Sequence, residues 1–81
     1  MTSEEIRQVI YRNLRRIAPE CDPSELAPEE NIREALDIDS FGFLQVLIGI
    51  SEEIDIEIPE TDYAQVFTLA GMLNYLTRRQ G

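Results

Sequence analysis

Asp37-Ile38-Asp39-Ser40-Phe41, followed without a break by Gly42-Phe43-Leu44-Gln45-Val46-Leu47-Ile48-Gly49-Ile50 and on to Ile54, is the part of the chain around which the rest can be arranged. Apolar residues recur there at helical spacing, so a helix is expected from Ser40 to about Ile54. Asp39 and Ser40 stand at its mouth, and both residue types are preferred N-caps. If Asp39 takes the cap, Ser40 falls in the first turn with a free hydroxyl. That hydroxyl then lies at the positive end of the helix dipole, where negative charge is favoured. If Ser40 is itself the cap, its hydroxyl is only structural. Periodicity by itself leaves the cap reading ahead.

The helix can be sorted by angle at about 100° per residue. Phe43, Val46, Leu47, Ile50 and Ile54 share one face and are assigned to the core, whereas Gly42, Gln45, Gly49 and Glu52 make a small, polar face. Between these faces, on the side of Ser40, Phe41, Leu44 and Ile48 form a third strip. The helix is therefore apolar over more of its circumference than one buried face requires. The strip is either core, covered by the first and last helices, or a docking surface, since apolar patches left in water mark interaction sites. Thin cover at the end of a bundle favours docking.

Upstream, Thr2-Ser3-Glu4-Glu5 reads as a capping box. Behind it Ile6, Val9, Ile10, Leu14 and Ile17 give a helix from about Ser3 to Ala18, stopped by Pro19. From Pro19 to Ile38 the chain has three prolines and no sustained period, an unusually long connection for a small domain. Leu26, Ile32, Leu36 and Ile38 are spaced through it like pins, so it is expected to be ordered, with a turn or two of helix between Asn31 and Leu36.

Downstream, Ile54-Asp55-Ile56-Glu57-Ile58 alternates like a strand, but no second strand is available to pair with it. It is expected to be an extended segment ending at Pro59 with its isoleucines turned inward. A short helix starts at Thr61 or Asp62 and runs to about Val66. Thr68 caps a last helix with Leu69, Met72, Leu73 and Leu76 inward and Arg78 and Arg79 at its C-terminus. The fold class is all-α: a single domain over residues 1–81, a small bundle of three principal helices plus a short extra one. The expected core is Ile6, Val9, Ile10, Leu14, Ile17, Leu36, Val46, Leu47, Ile50, Ile54, Ile58, Val66, Leu69, Leu73 and Leu76.

Composition narrows the function classes. The chain is 81 residues long, 43% apolar and −9 in formal charge, with neither histidine nor lysine. No basic stripe is present to neutralise phosphates, which argues against nucleic acid. Fourteen acidic residues face Arg33 alone between positions 19 and 62, a surface suited to basic protein partners. One cysteine, Cys21, gives no internal disulfide, and no apolar run approaches membrane-spanning length. A cytoplasmic monomer with no membrane association is expected. Nucleophilic catalysis needs a base beside the hydroxyl, and Asp39 is a weak one for serine, so no catalytic residue is assigned. Asp37, Asp39 and nearby acids could be considered for Mg²⁺ or Ca²⁺, but their spacing fits no EF-hand loop; a solvated acidic face is the ordinary account.

Leu36-Asp37-Ile38-Asp39-Ser40-Phe41 resembles the Leu-Gly-x-Asp-Ser-Leu signature of acyl carrier proteins. Glu53-Ile54-Asp55-Ile56-Glu57-Ile58-Pro59 is similar to that family's acidic-apolar stretch ending in Ile-Pro. Thr68-Leu69 with Asn74-Tyr75-Leu76 resembles the opening and close of its fourth helix. The three blocks cover nearly the whole chain in order and at family spacing. The resemblance implies that Ser40 receives 4′-phosphopantetheine from coenzyme A through a separate Mg²⁺-dependent phosphopantetheinyl transferase, with Asp39 helping that enzyme's metal and docking. The arm's thiol would then carry acyl groups between acyl-loading and acyl-processing enzymes, in a dedicated fatty-acid, lipid or secondary-metabolite pathway. An aminoacyl or peptidyl carrier, and a helical adaptor whose Ser40 is purely structural, are the alternatives.

The departures from the signature shape the expectation. Asp37 stands where the family usually has Gly, and Phe41 where it has Leu. Gly42, Gln45 and Ser51 fall where fatty-acid carriers often hold acids. Docking is therefore expected to depend on Phe41, Leu44 and Ile48 more than on ion pairs. Phe43 is bulkier than is common on the wall facing the space between helices, which implies a short acyl or aminoacyl cargo.

Overall fold

The computed structural model describes residues 1–80. Helix α1 spans Ser3–Ile17 and opens on the reciprocal capping box: the Glu5 N–H donates to the Thr2 hydroxyl at 3.1 Å, and the Thr2 N–H to the Glu5 carboxylate at 2.7 Å. Its inward face is Ile6, Val9, Ile10 and Leu14, with Asn13 buried among them. Ala18, also buried, ends the helix before Pro19.

The long connection is folded in, as its apolar pins require. A single 3-10 turn, Pro23–Glu25, is capped by Asp22; after it Leu26 is buried, and Ile32, Leu36 and Ile38 follow it into the core. Two backbone bonds stitch the connection to the start of the last helix, from the Ile32 N–H to the Phe67 carbonyl at 2.8 Å and from the Ala70 N–H to the Pro28 carbonyl at 3.0 Å. The radius of gyration, 11.3 Å, matches the roughly 12 Å of a compact chain of this length.

Helix α2, Ile32–Leu36, is capped by Asn31 and closed by Asp37 in the left-handed conformation, φ 54 and ψ 48. Helix α3, Ser40–Ile54, follows almost at once and is closed by a second left-handed aspartate, Asp55, at φ 61 and ψ 45. Beyond it the chain runs extended to Pro59, with Ile54 and Ile58 buried and Ile56 half-buried. A 3-10 helix, Glu60–Val66, inserts Val66 into the core. Helix α4, Leu69–Gln80, begins where the Thr68 hydroxyl accepts the Gly71 N–H at 3.0 Å. Arg78 and Arg79 lie in its last turn, where positive charge complements the dipole. The all-α bundle of three principal helices, α1, α3 and α4, is the observed fold.

Three expectations need correction. Ile17 and Leu73 are only partly buried, while Tyr75 joins Leu69, Met72 and Leu76 on the inward face of α4. Tyr75 can be buried because its hydroxyl donates to Asp62 at 2.6 Å. The short helix starts at Glu60, one residue earlier than expected, and is 3-10 throughout. Gly49, assigned to the polar face of α3, is buried against Asn13 of α1, and Gly42 packs near Ile17 and Ile38. At Gly49 the backbone of α3 thus lies close against α1, while Gln45 and Glu52 on the same small, polar face stay exposed.

Candidate functional site

Asp39, and not Ser40, takes the cap of α3. It has extended dihedrals, φ −77 and ψ 175, and its carboxylate accepts the Gly42 N–H at 2.7 Å. Ser40 is therefore the first helical residue. Its side chain is exposed, and its hydroxyl has no hydrogen-bond partner among the described residues. An atom attached there would lie beside the unsatisfied N–H groups of the first turn, a position that suits a phosphate.

The rod that presents this hydroxyl is locked to α1 near its far end, in the last turn of α3. Asn13 Nδ2 donates to the Val9 carbonyl at 2.9 Å and to Glu53 Oε2 at 2.6 Å, while Arg12 donates to Glu53 Oε1 at 2.8 Å. The Arg12 hydrogen bond holds the Glu53 carboxyl below the ordinary carboxylate range against desolvation, with a smaller contribution from the Asn13 bond. The interlock fixes the rotation of α3 against α1, and with it the direction in which Ser40 points.

Ser40 stands at the lip of an open, mostly apolar cleft of about 420 Å³ lined by Arg33, Phe41, Phe43, Leu44, Tyr63 and Phe67. Phe43 is 4% exposed and meets Phe67 with ring centroids 6.0 Å apart at a tilt of 53°. A groove of about 490 Å³ between α1 and α4 is larger but shares no lining residue with it. Adjacency to the free hydroxyl, not size, singles out the smaller cleft.

The expected strip divides. Phe41 is 68% exposed and Ile48 43%, whereas Leu44 is half-buried in the cleft wall. None of the three is core, so the alternative in which α1 and α4 wrap around to cover them does not hold. Asp39 and Ser40 are adjacent at the tip, Phe41 and Leu44 adjoin them, and Ile48 lies one turn further along α3. Arg33, Tyr63 and Phe67 were not singled out from the sequence. A signal existed for Arg33, the sole cation between residues 19 and 62, but its place beside Ser40 depends on the turn at Asp37.

Residues 4–76 match the family model described as the phosphopantetheine attachment site. An acyl carrier protein of Campylobacter curvus is 25% identical over 75 residues, covering 93% of this chain and 91% of that protein. A meromycolate extension acyl carrier protein of Mycobacterium leprae is 27% identical over 78 residues, covering 96% of this chain and 67% of that protein. Its Mycobacterium tuberculosis counterpart matches to the same extent.

Proposed function

Since the chain belongs to the phosphopantetheine-attachment family, that of the acyl carrier proteins, we propose that Ser40 is the residue that takes the 4′-phosphopantetheine arm. The observation that carries this reading is the exposed, unpartnered Ser40 hydroxyl in the first turn of α3, relieved of the capping role by Asp39. In the transfer, Ser40 Oγ forms a bond to the phosphorus that bears pantetheine in coenzyme A, and the bond to the adenosine bisphosphate leaving group breaks. The hydroxyl proton goes to a base of the transferase, because this chain offers only Asp39, itself engaged with Gly42. Asp39 would meet the transferase's metal through its free carboxylate oxygen. Once bound, the arm supplies a thiol that holds acyl groups as thioesters.

The chain's own residues act as a mount and not as catalysts. The first turn of α3 favours the phosphate charge, and the interlock around Asn13 keeps the tip rigid. Phe41, Leu44 and Ile48 give partner enzymes an apolar strip beside the arm. Partners of two kinds follow from the carrier role: the phosphopantetheinyl transferase and the enzymes that load and process the acyl group. The filled interior under the cleft, with Phe43 against Phe67 and with Val46, Ile50 and Val66 wholly buried, suits a short cargo. Large NMR shifts at Val46, Ile50 and Val66 on loading a long acyl chain would contradict that part.

Mass spectrometry after incubation with a phosphopantetheinyl transferase and coenzyme A tests the central claim. One phosphopantetheine should be gained, mapping to the peptide with Ser40, and Ser40→Ala should gain none. An unchanged intact mass, or a group on another residue, overturns it and leaves the helical adaptor.

A further inference from the structure

Arg33 is the one cation in a stretch holding fourteen carboxylates, yet none of the ion pairs among the described residues includes it. Its side chain is instead half-buried in the wall of the cleft beside Ser40. The turn between α2 and α3 holds it there. The Ile38 N–H donates to the Arg33 carbonyl at 2.9 Å, and Arg33 Nε donates back to the Ile38 carbonyl in a long 3.4 Å contact. Ile38 lies two residues before Ser40, so the guanidinium is folded over the turn toward the helix tip. Of its five N–H groups, the one on Nε is used, and the four on the terminal nitrogens have no hydrogen-bond partner among the described residues.

A half-buried guanidinium with no carboxylate partner keeps its terminal N–H groups free to bind an anion. We propose that Arg33 binds the phosphodiester formed on Ser40 and so draws the prosthetic arm down into the cleft at rest. The inference depends on Ser40 being the attachment residue. Charge and shape both agree with it. A phosphodiester carries one negative charge on two free oxygens, the geometry an arginine fork meets with two parallel bonds. The first carbon group beyond the phosphate is branched and apolar, and the wall next to Arg33 is Phe43, Leu44, Tyr63 and Phe67. The phosphate is tethered within the same cleft, so its effective concentration at the guanidinium is high without any intermolecular step. Arg33 is on this account a positioning residue: it sets where the arm rests and takes no part in acyl chemistry.

The test compares apo and holo protein by NMR, the holo form first verified by intact mass. In the wild-type holo protein the Arg33 Nε–Hε resonance should move relative to apo. The pantoyl methyls should show nuclear Overhauser contacts to the Phe43 and Phe67 rings. In Arg33→Gln the contacts should weaken roughly fivefold, the upper end for a partly exposed ion pair, with Arg33→Lys between the two. High salt should weaken them in the wild type only. An Nε–Hε resonance that is the same in apo and holo forms overturns the proposal without any variant being made. So do methyl contacts that survive in Arg33→Gln, and an Arg33 resonance that responds only when a carboxylate-bearing acyl group is loaded. Failure to gain mass at Ser40 would instead sink the attachment reading.

Discussion

Replacing Gly49 by alanine sets an intrinsic gain against a packing loss, and the structure indicates which is larger. Alanine is favoured over glycine by about 1 kcal/mol in a helix interior. Here, however, the new Cβ lands on the Oδ1 of Asn13, with Asn13 Cγ at 3.1 Å. Asn13 is 2% exposed and cannot swing into water. Displacing it forfeits its bond to the Val9 carbonyl, about 1 kcal/mol, and its bond to the Glu53 carboxylate, about 1.5–3 kcal/mol for a charged acceptor. The second figure is reduced because Glu53 is 31% exposed. Overpacking adds about 1–3 kcal/mol. The expected net is a destabilisation of at least about 2 kcal/mol, against a total of roughly 4–12 kcal/mol for a domain of this size.

In urea the midpoint should fall by roughly 2 M at unchanged slope, taking about 1–1.5 kcal/mol/M for so small a chain. Asn13→Ala alone should cost about 1–3 kcal/mol. The double variant should recover the overpacking part of the Gly49→Ala loss but not the forfeited hydrogen bonds, and so fall no lower than Asn13→Ala alone, because the added methyl then enters the space the amide left. A Gly49→Ala protein more stable than wild type, by the propensity difference, refutes the interlock.

Acid should weaken the same contact. The Glu53 carboxyl is held below its ordinary value of 4.5, chiefly by Arg12. It thus contributes stability that is present above that value and lost as pH falls through the lower folded one. Below about pH 4.5 the wild type should lose stability faster than Glu53→Gln, and parallel slopes would exclude the linkage. Asp37 sits at φ 54, where glycine is unstrained; Asp37→Gly should raise stability by about 0.5–1 kcal/mol and Asp37→Ala lower it by about 1 kcal/mol. Equal melting temperatures for the two would remove the left-handed account. Ile48→Asp should leave the circular dichroism unchanged and lower transfer from a partner enzyme about tenfold or more, the value of one buried aliphatic side chain. Full transfer by that variant would remove Ile48 from the docking surface.

What could be read from the chain was what repeats or caps. Helix α3 was legible because its period is unbroken, and Asp39 because an aspartate before a helix has a known use. Gly49 was not, since an angular sort places a glycine without saying whether it faces water or serves as a socket. The other half of that contact, Asn13, looks like a polar interruption in the stripe of α1 until the two helices are brought together. Tyr63 and Phe67 belong to a 3-10 segment and its end, where a period near three residues defeats sorting at 3.6. Tyr75 was misplaced because its burial depends on a carboxylate thirteen residues away. Leu73 yielded its inward place to that ring.

The fold separates a fixed part of the site from a softer one. Helix α3 is delimited by left-handed aspartates, Asp37 one turn before it and Asp55 at its end, and its last turn is tied to α1 by Asn13 and Glu53. Ser40 is therefore presented in one direction. The opposite wall of the cleft, with Tyr63 and Phe67, belongs to a 3-10 helix without a side-chain cap. Its ties are Val66 in the core, the Phe67 carbonyl that accepts the Ile32 N–H, the Phe67 ring against Phe43, and the group at its far side where Tyr75 and Arg79 meet Asp62, the Arg79 contact being a loose 3.8 Å. Poorer hydrogen-bond geometry and an uncapped start make the stretch before Phe67 the cheaper one to move. With the arm on Ser40 as proposed, that asymmetry suits a carrier: a transferase finds the hydroxyl in a constant place, while the wall beside it adjusts to whatever the arm brings back.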